Sequence, residues 1–327
     1  MELKTEAKLA QNALEKAEKV PARDGFGKGL VELGEKNENV VVLCGDLTDS
    51  TRTNWFKEKF PDRFIEVGVA EQNMAGIAAG LALEGKIPFM ATYSVFCPGR
   101  NWDQIRVSIC YSKANVKFCG AHAGISVGPD GATHQGLEDI AITRCLPNLT
   151  VIAPCDHIEA RKATIAAGEL NGPVYLRFGR EKVPTITTQD TPFEIGKAEV
   201  YKEGSDIAIL ACGMLVHSAL VAAEELEKQG TSAKVINCHT IKPLDAETIS
   251  NAAKECKAVV IAEEHQVNGG LASAVAEALG ENNPVPLARV GMQDSFGESG
   301  KPEELLEKYK MSPKGIVEAA RKTVKRK

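Results

Sequence analysis

Short apolar runs alternate with helical patterns along most of this chain, from about Arg23 onward. Such alternation is typical of a parallel β-sheet covered by helices, because parallel strands need a crossover connection between them. Helical segments are predicted between the strands, among them residues 26–35, 70–83 and 158–167. The predicted strands of this first unit are residues 40–44, 64–69, 88–93, 116–119, 151–153 and 174–178.

The pattern lapses over residues 183–196, where Thr, Pro and Asp collect, and this segment is predicted to be a linker. The pattern then resumes, with strands predicted at 207–211, 233–238 and 258–262 and helices at 218–229 and 270–279. The predicted fold class is α/β, with two domains that each hold a mainly parallel sheet flanked by helices. The predicted domains are residues 21–190 and 191–327, and a helical lead-in is predicted over residues 1–20.

Composition excludes several classes of protein. The 39 Lys and Arg nearly balance the 44 Asp and Glu, so no positive field would gather nucleic acid or a membrane surface, and neither is expected as a partner. The nine cysteines include no C-x-x-C pair, which argues against a zinc site or a disulfide framework. Residues 1–19 lack the apolar core of a signal peptide, and no long apolar span follows. We therefore expect a cytoplasmic protein.

A segment rich in Gly and Ala, residues 67–82, passes from a predicted strand into a predicted helix. Glu71 stands near the start of that helix, where the helix dipole favours a carboxylate. An isolated glutamate at such a position is usually exposed to water. Here the small apolar neighbours favour a desolvated carboxyl group with raised proton affinity, which would suit exchange of a proton with a ring nitrogen.

Two further segments carry side chains suited to a ligand. Tyr93 and Phe96 end the next predicted strand, either as ordinary core residues or as a stacking wall for a flat heterocycle. Residues 121–136 follow another strand and combine Gly and Pro with His122, Asp130 and His134. Loops at this position of α/β proteins carry function, and these side chains could bind hydroxyls and move protons. Their spacing matches no familiar metal-ligand pattern, so we expect no metal site in this chain.

These three segments, in this order, resemble the C-terminal half of transketolase, a thiamine diphosphate enzyme, from about Pro21 onward. The combination of G-x-A-E-Q-N-M, the aromatic strand end and H-A-G-I-x-V-G-x-D-G-x-T-H-Q is specific. The resemblance implies that Glu71 contacts a nitrogen of the cofactor's aminopyrimidine ring and favours the tautomer that takes the thiazolium proton. It also implies that Tyr93 and Phe96 form the pocket for that ring and that Asp46 lies beside the cofactor.

The same resemblance implies a site for a sugar phosphate substrate. His122, Asp130 and His134 match sugar-binding residues, with Asp130 placed for a substrate hydroxyl and His134 near the reacting oxygens or the phosphate end. Glu71, His122 and His134 are then the candidate catalytic residues. Arginine suits a phosphate because it can donate two parallel hydrogen bonds. The implied phosphate clamp consists of Arg23, Ser50 and Arg180.

The sequence departs from the transketolase family in one large respect. Full-length transketolase has an additional N-terminal domain, whose G-D-G motif and downstream Asn bind magnesium and the diphosphate, and neither is found here. The resemblance therefore implies one half of a split transketolase of the pentose phosphate pathway, with the active site formed between residues 21–190 and an N-terminal partner subunit that holds Mg²⁺. We expect a heterotetramer with two chains of each kind, and almost no transfer activity from this chain alone.

Three alternatives stay open. The β subunit of 2-oxo acid dehydrogenases has a similar two-domain plan, but the D-G-x-T-H-Q loop and the phosphate clamp suit sugar phosphates better. A detached half of 1-deoxy-D-xylulose-5-phosphate synthase shares the short motifs A-E-Q (residues 70–72) and Y-S (residues 93–94). His122 and the N-M pair (residues 73–74) favour transketolase instead. The third alternative is a non-catalytic assembly subunit, which would keep the fold but would have lost polar site residues such as Glu71, His122, Asp130 and His134. His265, in the second unit, is assigned to assembly.

Overall fold

The computed structural model of this chain describes residues 3–14 and 17–327. Its strands are β1 (Lys19–Pro21), β2 (Val40–Cys44), β3 (Phe64–Glu66), β4 (Ile87–Tyr93), β5 (Lys117–Ala121), β6 (Thr150–Ile152), β7 (Val174–Arg177), β8 (Lys182–Pro184), β9 (Glu199–Lys202), β10 (Ile207–Ala211), β11 (Ala233–Asn237), β12 (Thr240–Lys242), β13 (Val259–Gln266) and β14 (Leu287–Met292). Its α-helices are α1 (Ala22–Lys36), α2 (Thr48–Thr51), α3 (Asn54–Lys59), α4 (Glu71–Leu83), α5 (Trp102–Gln104), α6 (Asp139–Arg144), α7 (His157–Glu169), α8 (Leu215–Lys228), α9 (Ala246–Cys256), α10 (Leu271–Asn282), α11 (Pro302–Lys308) and α12 (Pro313–Val324). Residues Ile105–Tyr111 form a π-helix, and 3-10 turns cover Thr5–Ala7, Pro61–Arg63 and Ile125–Asp130.

A seven-stranded sheet organises the first half of the chain, in the order β12-β6-β7-β5-β4-β2-β3. Every neighbouring pair is parallel except β12 and β6. One face packs on α1 and α7, and the other on α4 and the π-helix. Burial on both faces explains why β2 is a continuous apolar run rather than an alternating one. The predicted α/β fold is confirmed for this half.

The second sheet holds five strands in the order β14-β13-β10-β11-β9, with only β9 antiparallel. The strand predicted at 258–262 runs on to Gln266, so His265 lies inside β13 rather than after it. One short strand from this half of the sequence, β12, joins the first sheet instead of the second. The two predicted sheets are thus present, while the domain boundaries at 20/21 and 190/191 stay predictions.

Glycines let α1 and α7 pack closely. A Cβ on Gly25 would lie 1.8 Å from the carbonyl oxygen of His157, and one on Gly29 would lie 2.8 Å from Cβ of Thr164. No larger residue fits at such a contact without moving a helix. Because α1 starts at Ala22, this packing also fixes the position of Arg23, in its first turn.

The first part of the segment predicted as a linker is hydrogen-bonded to the rest of the chain. Its first residues form β8, which pairs antiparallel with β1. The carboxylate of Asp156, which also caps α7, accepts hydrogen bonds from the backbone N–H of Ile186 at 2.8 Å and of Thr187 at 2.7 Å. Residues 183–187 are therefore hydrogen-bonded to the rest of the chain and do not form a free connection.

Two other predicted segments differ from the structure. The strand predicted at 64–69 ends at Glu66, because Gly68 adopts a left-handed φ of 70° and the Glu66 carboxylate accepts its N–H at 2.9 Å. The predicted helical lead-in contains one 3-10 turn within residues 3–14, and Met1, Glu2, Glu15 and Lys16 lie outside the described residues. Within the described ranges, no helix is both long and apolar enough to cross a membrane, and the cytoplasmic location stays a prediction.

A buried carboxyl group lies where the two halves of the chain meet. Glu159, in α7, accepts hydrogen bonds from the backbone N–H of Cys155 at 2.6 Å and from Nδ2 of Asn237, in β11, at 2.7 Å. Tyr201, in β9, closes the same cluster with its hydroxyl 3.5 Å from the Glu159 carboxylate. Burial, reinforced by the charge of Asp156, raises the pKa of Glu159 to about 7.

The stability contributed by this cluster is expected to depend on pH. Since the pKa of Glu159 rises from 4.5 to about 7 on folding, the folded chain holds a proton that the unfolded chain releases. The bound proton of Glu159 contributes fully to the free energy of unfolding below pH 4.5. This contribution is lost as the pH rises toward 7, by about 1.4 kcal/mol per pH unit. Glu159→Gln cannot ionise, so urea unfolding should show it to be about 3 kcal/mol more stable than the unchanged protein at pH 8 and nearly equal at pH 4.

Glu169→Gln, at an exposed position of the same helix, is the matched control. It should follow the pH dependence of the unchanged protein. The same pH dependence in Glu159→Gln would contradict the assignment of the proton to this carboxyl group.

Candidate functional site

The carboxyl ends of three adjacent parallel strands bring most of the predicted site residues to one edge of the first sheet. Asp46 follows β2, Tyr93 ends β4 and His122 follows β5 directly. This edge is where α/β sheets bind ligands, because the loops there converge around the strand ends. The loops that carry these three residues therefore lie side by side at the carboxyl ends of the strands.

Glu71 is the first residue of α4 and is only 3% exposed, so the predicted desolvation is present. Its two carboxylate oxygens accept hydrogen bonds from Nη1 of Arg100, at 3.0 and 3.2 Å. The sequence did not predict this ion pair. The pair borders a cavity of about 490 Å³, lined by residues 69–73 and Arg100.

Four rings form one continuous wall beside this ion pair. Tyr93 stacks on His122 with ring centroids 4.0 Å apart, and Phe96 lies 5.9 Å from Tyr93 at an interplanar angle of 20°. The ring of His134 meets Phe96 edge-on at 5.5 Å. Tyr93 and Phe96 are therefore partly exposed side chains at the site rather than closed core residues.

His122 is a neutral imidazole held in an unusual backbone conformation. Its side chain is 2% exposed, and its φ of 54° is left-handed. Burial, together with the positive charges of Arg23 and Arg180, lowers its pKa to about 3. Nε2 lies 3.5 Å from Nη1 of Arg23, and Nδ1 has no partner among the described residues. An unpaired ring nitrogen of a buried histidine can accept or donate one hydrogen bond to a ligand.

Positive charge gathers next to His122. Arg23 donates from Nη1 to the backbone carbonyl of Ser50 at 3.0 Å, so Ser50 orients the arginine through its main chain. Arg180 donates to the carbonyl of Val127 at 2.9 Å and lies 3.5 Å from the Asp130 carboxylate. Burial and the neighbouring charge of Arg52 lower the pKa of Arg23, and its Nε has no partner in the described chain.

Asp46 stands apart from these groups. It has a left-handed φ of 60°, and its backbone N–H donates to the Glu66 carboxylate at 2.7 Å. Within the described residues no hydrogen bond or ion pair joins its side chain to the other predicted site residues. The same part of the chain also holds no cluster of three His, Cys, Asp or Glu suited to a metal ion.

Three residues that border the predicted site were not singled out from the sequence. Arg100 and Arg52 are single arginines in loops, and no motif marks them. Glu264, in β13, accepts a hydrogen bond from the backbone N–H of Ser126, which fixes the loop after His122. His265, beside it, accepts from the backbone N–H of Ala141 at 3.3 Å, so it joins the two halves, and its role in assembly stays a prediction.

Comparison with known proteins identifies the two halves. The pyrimidine-binding domain of transketolase matches residues 18–185, and the C-terminal domain of transketolase matches residues 196–316. The chain belongs to the transketolase family. It is similar to a putative transketolase C-terminal section of Methanocaldococcus jannaschii, with 45% identity over 93% of this chain and 96% of that protein.

Other transketolase-family relatives differ in how much of their own length matches this chain. The 6-deoxy-6-sulfo-D-fructose transketolase subunit SqwH of Clostridium sp. is 44% identical over 93% of this chain and 95% of its own length. A 1-deoxy-D-xylulose-5-phosphate synthase of Synechococcus sp. is 40% identical, and the match spans 90% of this chain but only 46% of the synthase. This transketolase-family chain thus corresponds to the C-terminal half of the longer relatives.

A solved structure of a split-gene transketolase, described as an "inactive beta4 tetramer", resembles this chain with a TM-score of 0.89 and 47% identity. The alignment covers 94% of this chain and 99% of that one. Transketolase from Campylobacter jejuni matches with a TM-score of 0.78 and 26% identity, over 49% of its length.

Proposed function

We propose that this chain is the C-terminal subunit of a split, thiamine diphosphate-dependent transketolase of the pentose phosphate pathway. In this proposal it transfers a two-carbon ketol unit from a ketose phosphate to an aldose phosphate, together with a partner chain. One observation carries the proposal. A buried carboxylate, an aromatic wall and a buried neutral histidine flanked by arginines meet at the carboxyl edge of the first sheet.

The residues present fit the aminopyrimidine half of thiamine diphosphate. Such a ring needs flat apolar faces and a carboxyl group at one nitrogen, and Phe96, Tyr93 and Glu71 supply them. Glu71 also lines the cavity of about 490 Å³. When bound, the cofactor supplies the nucleophilic carbon that carries the two-carbon unit. Glu71 then holds the proton shared with the ring nitrogen, and its burial keeps water from competing for that proton.

The neighbouring groups suit a phosphorylated sugar. The buried Nδ1 of His122, which has no partner among the described residues, is assigned to a substrate hydroxyl or carbonyl, while Asp130 and His134 lie at the open side. The Arg23 and Arg180 guanidiniums concentrate positive charge and suit the phosphate end. Asp46 is assigned beside the cofactor on the strength of the family resemblance alone.

The partner chain is assigned the diphosphate and Mg²⁺. The exposed face of α4 supports such an assembly, because a Cβ on Gly76 or Gly80 would have nothing within 4 Å among the described residues. Val69 and Leu83, at the two ends of this region, are 66% and 69% exposed. We propose a heterotetramer of two chains of each kind, in which this face meets another subunit.

The test is ketol transfer from xylulose 5-phosphate to ribose 5-phosphate with thiamine diphosphate and Mg²⁺. This chain alone is compared with this chain plus its candidate N-terminal partner, and sedoheptulose 7-phosphate is expected only from the mixture. Full activity of the isolated chain would contradict the split-enzyme proposal. Assembly without any transfer would contradict it as well.

Alternative substrates in the same assay separate the related functions. Formation of 1-deoxy-D-xylulose 5-phosphate from pyruvate and glyceraldehyde 3-phosphate would favour the synthase, to which the chain is 40% identical. Decarboxylation of 2-oxo acids without sugar transfer would favour a dehydrogenase β subunit. A preference for ribose 5-phosphate over ribose would support the arginine clamp, and 6-deoxy-6-sulfo-D-fructose belongs in the donor panel because one relative is named for it.

A further inference from the structure

The flat guanidinium group of Arg100, in the loop after β4, contacts two other side chains. Its Nη1 lies 3.0 and 3.2 Å from the two oxygens of the buried Glu71 carboxylate, and its Cζ lies 3.9 Å from the centroid of the Phe96 ring. The side chain is otherwise 47% exposed. A guanidinium is planar and delocalised, so it can stack on an aromatic face and donate hydrogen bonds in its own plane.

The loop around Arg100 is held firmly, which sets where the guanidinium can reach. The backbone N–H of Arg100 donates to the Phe96 carbonyl at 2.8 Å, and Nδ2 of Asn101 donates to the Glu71 carbonyl at 3.2 Å. A Cβ on Gly99 would lie 2.2 Å from the Val95 carbonyl oxygen, so only glycine fits this turn. The backbone therefore stays beside Glu71 while the exposed end of the side chain has room to leave.

The two groups that Arg100 contacts are those that the proposed function assigns to the aminopyrimidine ring. A separation of 3.9 Å from the Phe96 ring is already van der Waals contact, so a second flat group cannot stack on the same face. The Glu71 oxygens are likewise engaged. Arg100 and the ring would therefore compete for one place.

We propose that Arg100 is an affinity-determining residue that holds the place of the aminopyrimidine ring in the cofactor-free chain and is displaced when thiamine diphosphate binds. The inference rests on the proposed function. The cofactor can bind only to chains in which Arg100 is displaced. Its apparent affinity is therefore the intrinsic affinity multiplied by the fraction of such chains. The ion pair with Glu71 and the stacking on Phe96 together give a modest bias, so the reduction is about threefold to thirtyfold.

Calorimetric titration with thiamine diphosphate and Mg²⁺ tests this on the assembly of the full chain with its partner. Arg100→Ala should bind the cofactor about tenfold more tightly than the unchanged protein. The matched control is Arg106→Ala, an exposed arginine in the following helix that does not contact Glu71. Equal or weaker binding by Arg100→Ala would overturn the inference, and binding to neither protein would overturn the proposed function with it.

Labelling with phenylglyoxal, read by mass spectrometry, gives a second measurement that does not depend on turnover. Addition of thiamine diphosphate and Mg²⁺ should increase labelling of Arg100 relative to Arg106, because displacement frees the guanidinium. In the isolated, cofactor-free chain, Glu71→Gln should increase it as well, since the ion pair is gone. Unchanged labelling in Glu71→Gln would overturn the inference while leaving the proposed function untouched, and protection of Arg100 by the cofactor would do the same.

Discussion

Replacing Glu71 by glutamine is expected to reduce ketol transfer by the proposed two-chain enzyme about 10²- to 10⁴-fold, the range in which positioned proton transfer contributes to catalysis. Glutamine keeps the size of the side chain and one acceptor oxygen but cannot take up a proton. Because Glu71 is only 3% exposed, water cannot take over its role. The measurement is the initial rate of sedoheptulose 7-phosphate formation, with assembly checked by analytical ultracentrifugation.

Glu38→Gln is the matched control for this change. Glu38 is exposed in the turn before β2, at the opposite edge of the sheet, so its replacement should leave the rate unchanged. Unaltered transfer by Glu71→Gln in an assembled complex would favour the alternative of a non-catalytic assembly subunit. Loss of both transfer and assembly would instead indicate a structural role for this carboxylate.

The second large effect is expected on stability, from the buried pair of Asp139 and Arg177. Their side chains are 1% and 5% exposed, and the carboxylate accepts from Nε of Arg177 at 2.7 Å and from the hydroxyl of Tyr175 at 2.7 Å. Arg177 also donates to the carbonyl of Glu264, which ties the two halves together. Asp139→Ala leaves this arginine buried without its counter-charge, which should cost about 3–5 kcal/mol in the free energy of unfolding.

Urea denaturation measures that loss, with Asp103→Ala, at an exposed position, as the control. Since a buried polar cluster can often be replaced by apolar side chains at little cost, the combined change Asp139→Leu, Tyr175→Phe and Arg177→Met should recover most of the stability. A loss below about 1 kcal/mol in Asp139→Ala would show that water or a local rearrangement compensates the arginine.

The core of the fold was predictable because its signal is local. The strands β2 and β10 have the predicted bounds, since each is a continuous apolar run that parallel pairing buries on both faces. β9 and β12 were not predicted, because short strands at a sheet edge depend on a neighbour that is distant in sequence. The anchoring of Ile186 and Thr187 by Asp156 depends in the same way on a non-local contact.

The site was predictable only where a motif carried it. The motif G-x-A-E-Q-N-M marks Glu71, and the histidine-containing loop motif marks His122. The structure brings both residues to the carboxyl ends of the strands in the first sheet. Arg100 carries no motif, and its importance depends on a contact across about thirty residues that no periodicity reports. The neutral state of His122 likewise depends on burial beside arginines that lie elsewhere in the sequence.

The short strand β12 determines how this polypeptide can be divided. It lies beyond residue 196 in sequence but forms the outer strand of the first sheet, next to β6. A fragment cut within residues 183–196 would leave the backbone N–H and C=O groups of β6 unpaired along an open edge, which is a template for intermolecular pairing and aggregation. Expression of either half by itself therefore calls for a cut elsewhere or for a grafted edge strand.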